Sequence, residues 1–468
     1  MSTEGLQRVI DGAPRGATIQ FAAGTYVITH DIRLPCRNLR VTGPESSPPV
    51  AVLSAAYSGG QTIFSYPDQC TDMGSILYFH FENTGALYVG AGSSNLVFEH
   101  NQVTHLPSSP GGSYAVAEAG VFLDGSVWPL TITTNVLIED NLFGDPTSCS
   151  AVLATDKDEG GFCAGVITHT GLTHALVISH NTFEHLEQGI HFLQLASFKP
   201  GDPSSGCASC VIEYNTIDHY HRIGIEVQTY TTDTLHIEHN ALVDPVGAYY
   251  GTFAVSLACC QWGPVQGVPG SSPAVVFNDN VLIASLPGQC PPYGVEFWGT
   301  GSQGTNSLIE GSFCNGYTWG YGSSPWAIRD NYICGPNFAT RGGYISNQQH
   351  QNNPPIESGN VTGPTCSARS SVAPAIAPPA GSYAGAQTIT LSDPGTNTSI
   401  WYTTDGSTPV PGMGTAQLYI HPFTLGGSTT LKAVGMWGAQ NQPTRYPAGY
   451  GYVPSRVVSA AFVIRAAK

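Results

Sequence analysis

The chain has 468 residues, enough for more than one domain and a large core, yet only 10% are charged while Gly (55) and Pro (34) abound. That poverty of Lys and Glu, beside many Thr, Val and Ile, excludes a mainly helical protein and favours strands joined by turns. No apolar run approaches the roughly 20 residues that span a bilayer, and a net charge of −16 excludes a nucleic-acid binder built on basic surface.

The start, MSTEGLQ, has no apolar signal core, so a secretory signal is expected to have been replaced by an initiating Met. Twelve cysteines imply an oxidising, extracellular compartment. Cys36/Cys70, Cys149/Cys163 and Cys314/Cys334 are spaced as local pairs. Cys207 and Cys210 form a C-x-x-C with no second such pair to complete a zinc site, so structural disulfides are the plain reading. Before them, an amphipathic stretch around Leu6, Val9 and Ile10 predicts a short helix, followed by a Gly-Ala turn and a strand at Gly24-Thr25-Tyr26.

The centre repeats itself. NLVFEHNQV, NVLIEDNLF, ALVISHNTF, SCVIEYNTI, TLHIEHNAL, AVVFNDNVL and PWAIRDNYI each alternate apolar residues and then place an Asn, at 101, 141, 181, 215, 240, 280 and 331. Units that cannot bury a face alone must stack on their neighbours, which makes a solenoid. An Asn at one turn of every coil can bond the next coil's Asn and backbone. A second strand follows most units: GVFLD (120–124), GVITH (165–169), GIHFL (189–193), GIEVQ (224–228), FAVSL (253–257) and GVEFW (294–298). Stacked in parallel, these predict a sheet whose outer face is a ladder of exposed side chains.

The opening and the Asn repeats resemble pectate-lyase-like right-handed parallel β-helix proteins over about residues 4–360. The resemblance implies a short helix plugging the first coil and a polysaccharide partner. The N-T-D, D-D and G-H-G series of polygalacturonase-type hydrolases is absent. Lyases of this fold use Arg or Lys as base, and Lys199, Arg222, Arg329 and Arg341 all miss the outward positions of the aligned strands, which makes elimination the weaker enzyme reading.

Residues 362–381 form a Pro/Ala/Ser linker. Beyond it, Trp401-Tyr402-Thr403-Thr404-Asp405-Gly406-Ser407-Thr408-Pro409, Tyr419 and Leu431-Lys432-Ala433 resemble the chitobiase/β-hexosaminidase C-terminal domain family. That implies a small immunoglobulin-like β-sandwich, with a tight turn at Asp405-Gly406. The expected organisation is therefore all-β: a right-handed single-stranded parallel β-helix over 1–361, the linker, and the sandwich over 382–468. Trp437, Tyr446, Tyr450 and Tyr452 are candidates for a sugar-stacking platform, with core packing the plainer role. Residues 372–468 carry a balance of +3, which leaves −19 for the rest. Such a surface suits a neutral glycan better than a polyanion.

Aligning the second strands by buried positions puts Phe122, Ile167, His191, Glu226, Ala254 and Glu296 in one outward row, and Asp124, His169, Leu193, Gln228, Ser256 and Trp298 in the next. Glu226 and Glu296 then lie two rungs apart, roughly 9–10 Å at the inter-strand spacing. That is near the 6.5–9.5 Å between the acid and base of inverting glycosidases. The two Glu are thus the candidate catalytic pair, with His191, Gln228, Trp298, Asp124 and His169 as substrate-binding candidates. The plain alternative is that these are solvated polar residues on an outer face. No motif demands a cofactor. Asp156, Asp158 and Glu159 offer a calcium site, though a solvated loop explains them. H-x-H at His219/His221 lacks the ligands to complete a metal set. The rival to an enzyme is a non-catalytic glycan-binding adhesin or a self-assembling extracellular subunit.

Overall fold

The structure, a computed structural model, describes residues 2–57, 60–108, 116–127, 130–149, 163–169, 173–192, 207–227, 235–246, 252–258, 275–278, 280–284, 293–298, 303–305, 307–319, 327–329, 331–338, 343–347, 355–363, 374–392, 398–406, 409, 415–437 and 458–465. They fall into two compact units, Met1–Thr365 and Cys366–Lys468.

The first unit is a right-handed single-stranded parallel β-helix. Its described strands stack into three parallel walls of 12, 12 and 11 strands. Each coil contributes one strand to each wall in turn, and the parallel crossovers take the right-handed sense. The helix Thr3–Gly12 closes the first coil. Ser2 caps it by accepting from the Gly5 N–H at 3.2 Å, while Leu6 and Ile10 enter the core. Val9, read as part of the buried stripe, is exposed.

Between the first and second walls runs the Asn ladder. Asn141 Oδ1 accepts from the Asn101 backbone N–H (2.9 Å), Asn181 Oδ1 from that of Asn141 (3.0 Å), Asn215 Oδ1 from that of Asn181 (3.0 Å), and so on to Asn280. Ser307 carries the ladder from Asn280 to Asn331, and Asn360 extends it by another rung. The residue before most ladder Asn, as at His100, His180, Tyr214 and His239, adopts a left-handed conformation. His105, His185 and His219 do the same at the next corner. These six histidines are therefore corner residues.

In the third wall, Val121, Val166, Ile190, Ile225, Val255 and Val295 point inward. The glycine before each of the first four also faces inward. A Cβ on Gly165 would overlap the Phe183 ring, which stacks on Phe143 at 5.1 Å. Gly165→Ala should therefore cost about 1–3 kcal/mol of overpacking, read as a lowered urea midpoint. Bridges join Cys36–Cys70, Cys149–Cys163 and Cys207–Cys210, and Cys314 and Cys334 are both disulfide-bonded.

The second unit is a sandwich of a three-stranded and a five-stranded sheet sharing one core, with Ile389, Leu391 and Leu425 facing Ile400, Leu431, Ala433 and Phe462. Its first strand, Ala375–Ala377, lies inside the Pro/Ala/Ser stretch and pairs with Thr390–Ser392. Gly406 takes φ +81° in the tight turn, where Thr415 donates to Asp405 at 2.6 Å. The side chain of Trp437, and Tyr446, Tyr450 and Tyr452, lie outside the described residues.

Candidate functional site

On the third wall the register defines one outer row: Arg33, Ser65, Tyr88, Phe122, Ile167, His191, Glu226, Ser256, Glu296 and Thr318. Glu226 and Glu296 therefore do share one wall two rungs apart. Two expectations need correction. First, Ser256 stands between the two carboxylates, not Ala254, because the strand Phe253–Ala258 sits two residues along from the expected alignment. Phe253 was read as core, but its ring stacks on Tyr293 at 5.1 Å, and Ala254 takes the inward place that glycine holds in earlier coils. Ala258, not Ser256, is then level with Trp298.

Second, the middle of the row is not open to water. His191 is 0% exposed, Glu226 2% and Glu296 6%. Next to them, Phe122 and Ile167 form a separate apolar cluster with Ala119 and Ala164, packed against Tyr88 and Val116 on the outside of the wall. Outward-pointing here does not mean exposed to solvent.

The buried carboxylates are held by specific partners, as burial requires. The Gln188 amide donates to Glu226 Oε2, and His191 Nε2 lies 3.5 Å from the same oxygen. Ser256 donates to Glu296 Oε2 at 3.0 Å. Across four successive strands this part of the wall thus gathers two carboxylates, an imidazole, a hydroxyl and an amide.

At the corner leading into this wall lie two acids that the sequence reading did not single out. Glu118 and Glu187 are both buried, and Arg222 Nη1 approaches Glu187 Oε1 at 3.8 Å. Burial pushes the Glu187 carboxyl up to about 7; Arg222 opposes this, and the charges of Glu226 and Glu118 add to it. A visible signal was available: Glu118, Glu187 and Arg222 each stand two residues before an inward glycine. Because the folded-state pKa is raised, Glu187 favours the fold at low pH, and this contribution is lost as pH rises from about 4.5 to 7. By linkage the loss is at most about 3 kcal/mol. Urea titrations at both ends of that window should show a difference smaller by about that amount in Glu187→Gln, and an unchanged difference would refute the shift.

Towards the N-terminus, Asp124 and His169 do come together. Asp124 Oδ1 and His169 Nδ1 are 2.8 Å apart, and Tyr88 donates to Asp124 Oδ2 at 2.9 Å. Both residues are half-buried. The strand residue Trp298 is placed on the wall, but nothing of its side chain is described, and Gln228 lies outside the described residues. So do Lys199, Arg341, Asp156, Asp158 and Glu159. Arg329 is exposed on the first wall, away from the row. Among the described residues, no group of three or more His, Cys, Asp or Glu is placed to hold a metal ion.

The protein is thus a right-handed parallel β-helix carrying a small β-sandwich. Residues 378–445 of that sandwich match the profile of the family "Chitobiase/beta-hexosaminidase C-terminal domain". No curated protein sequence matches the chain significantly. Among solved structures it is similar to a surface adhesin of Streptococcus pneumoniae (12% identity, TM-score 0.44, covering 76% of this chain and 87% of that one). It is also similar to the catalytic unit of a GH87 α-1,3-glucanase from Streptomyces thermodiastaticus (13%, 0.42, 78% and 66%). A third is a PL6 family polysaccharide lyase from Pseudopedobacter saltans (10%, 0.41, 77% and 91%). No helix among the described residues is long and apolar enough to cross a membrane.

Proposed function

We propose that the chain is a secreted polysaccharide-active protein that hydrolyses a neutral glycan with Glu226 and Glu296. The observation that carries this reading is their placement two rungs apart on one wall, with only Ser256 between them. In the step envisaged, one carboxyl gives its proton to the glycosidic oxygen as the C–O bond breaks, and the other carboxylate takes a proton from the water that attacks the anomeric carbon. Two rungs, roughly 9–10 Å at the inter-strand spacing, is near the carboxyl separation of enzymes that work through such a water. The acidic balance of the solenoid supports a neutral substrate, and the disulfides support an extracellular site of action.

The test is incubation with a panel of neutral and uronate polysaccharides, read by new reducing ends and by absorbance of unsaturated products. Reducing ends alone, on a neutral member, are expected. Unsaturated products indicate elimination, and the absence of any product removes the enzymatic reading.

One observation favours a second reading, a non-catalytic glycan-binding or assembly protein: both carboxylates are buried, so sugar reaches them only if the packing over the row parts. Under that reading the panel yields binding without products, and light scattering reports any assembly.

A further inference from the structure

The same wall carries a cleft of about 590 Å³ among its first coils, lined by Asp11, Asp31, Arg33, Gln61, Ser65 and Tyr88 with apolar side chains between them. Tyr88 is four rungs from Glu226, roughly 19 Å at the inter-strand spacing, so this is a place apart from the carboxylate pair.

The cleft is built rather than incidental. The Gln7 amide donates to Asp11 Oδ1 at 2.9 Å and to the Arg33 carbonyl at 2.8 Å, and Gln7 Oε1 accepts from the Arg33 N–H at 2.9 Å. The capping helix is thereby fastened to the wall strand, which fixes Asp11 beside the cleft. Arg33 Nε lies 3.6 Å from Asp31 Oδ2, and Ser65 donates to the same oxygen at 3.4 Å. Tyr88 is anchored at both ends, its hydroxyl on Asp124 and its ring stacked on Phe122 at 5.9 Å.

This lining offers donors (Arg33, Gln61) and acceptors (Asp11, Asp31) beside a fixed ring and apolar side chains. A sugar presents the complement: hydroxyls that donate and accept, and a C–H face that packs on an aromatic ring. Two carboxylates against one guanidinium disfavour an anion. The volume falls within the ordinary range for small-ligand sites, about 300–1,000 Å³.

We infer that this cleft is a second carbohydrate site, binding a neutral oligosaccharide independently of Glu226 and Glu296. It goes beyond the hydrolytic reading and survives if that reading fails. The test is calorimetry with short oligosaccharides of glucan, mannan, galactan and xylan, and with oligogalacturonate as the charged comparison, on full-length protein carrying Glu226→Gln. At least one neutral probe is expected to bind, with affinity lowered about tenfold or more by Arg33→Ala and by Asp31→Asn. Arg33 is largely exposed, so its variant should fold normally. The inference is overturned if no neutral probe binds, if oligogalacturonate is preferred, or if both cleft variants bind as before. Persistent turnover in Glu226→Gln with binding lost in Arg33→Ala would reject the catalytic pair and keep the cleft.

Discussion

Glu226→Gln is expected to reduce hydrolysis of the neutral polysaccharide by about 10²–10⁴-fold, the usual contribution of a positioned general acid or base. Gln is nearly isosteric and keeps an oxygen for the Gln188 amide, so the wall should fold as before, checked by circular dichroism and the unfolding midpoint. Glu296→Gln should fall as far, and the double variant little further, because the two groups act in one step. Ser256→Ala removes only a hydrogen bond to Glu296 and should cost much less. Full turnover in both Gln variants would eliminate the pair.

The second large effect concerns stability. Asn181→Ala is expected to destabilise the solenoid by about 3–5 kcal/mol, measured by urea unfolding. The Asn181 amide donates to the Ile138 carbonyl (2.9 Å), the Ser179 carbonyl (2.9 Å) and Asn215 Oδ1 (3.1 Å), while its Oδ1 accepts from the Asn141 backbone (3.0 Å) and amide (2.9 Å). All these groups lie where water does not replace the lost partner, so truncation orphans donors and acceptors on three coils at once. Asn135→Gly is the control: its bond to Asn95 at 2.8 Å is exposed, and glycine tolerates the left-handed backbone at this position (φ +60°), so the loss should stay within about 0.5 kcal/mol. Equal losses in the two variants would mean that burial of the ladder is not what gives it strength.

The solenoid was legible because its determinants are local and repeated. An Asn at a fixed place after alternating apolar residues marks the first corner, and a glycine marks four successive strands of the third wall, those holding Val121, Val166, Ile190 and Ile225. Two of the expected local cysteine pairs, Cys36/Cys70 and Cys149/Cys163, are bridged at Cα separations of 5.3 and 5.6 Å. The site was harder to read. Alternation says which side of a wall a residue faces, but not whether more chain lies over it, so Glu226 and His191 were expected in water and are buried. Phe253 misled the register because an apolar residue on an outer face, stacked on Tyr293, looks the same in sequence as one in the core. Glu118 and Glu187 carry no mark in the alternation because they sit at a corner, outside the strand pattern.

With Ser307 and Asn360 counted as rungs, the ladder spacing varies from 24 to 40 residues, yet the described strands keep their register. Among the described residues, length differences fall between the strands and not within them. Evolution can therefore rewrite whatever meets the outside world by lengthening or trimming a bend, while the pairing that supports it stays untouched, and duplicated or deleted coils would leave the remaining frame able to fold.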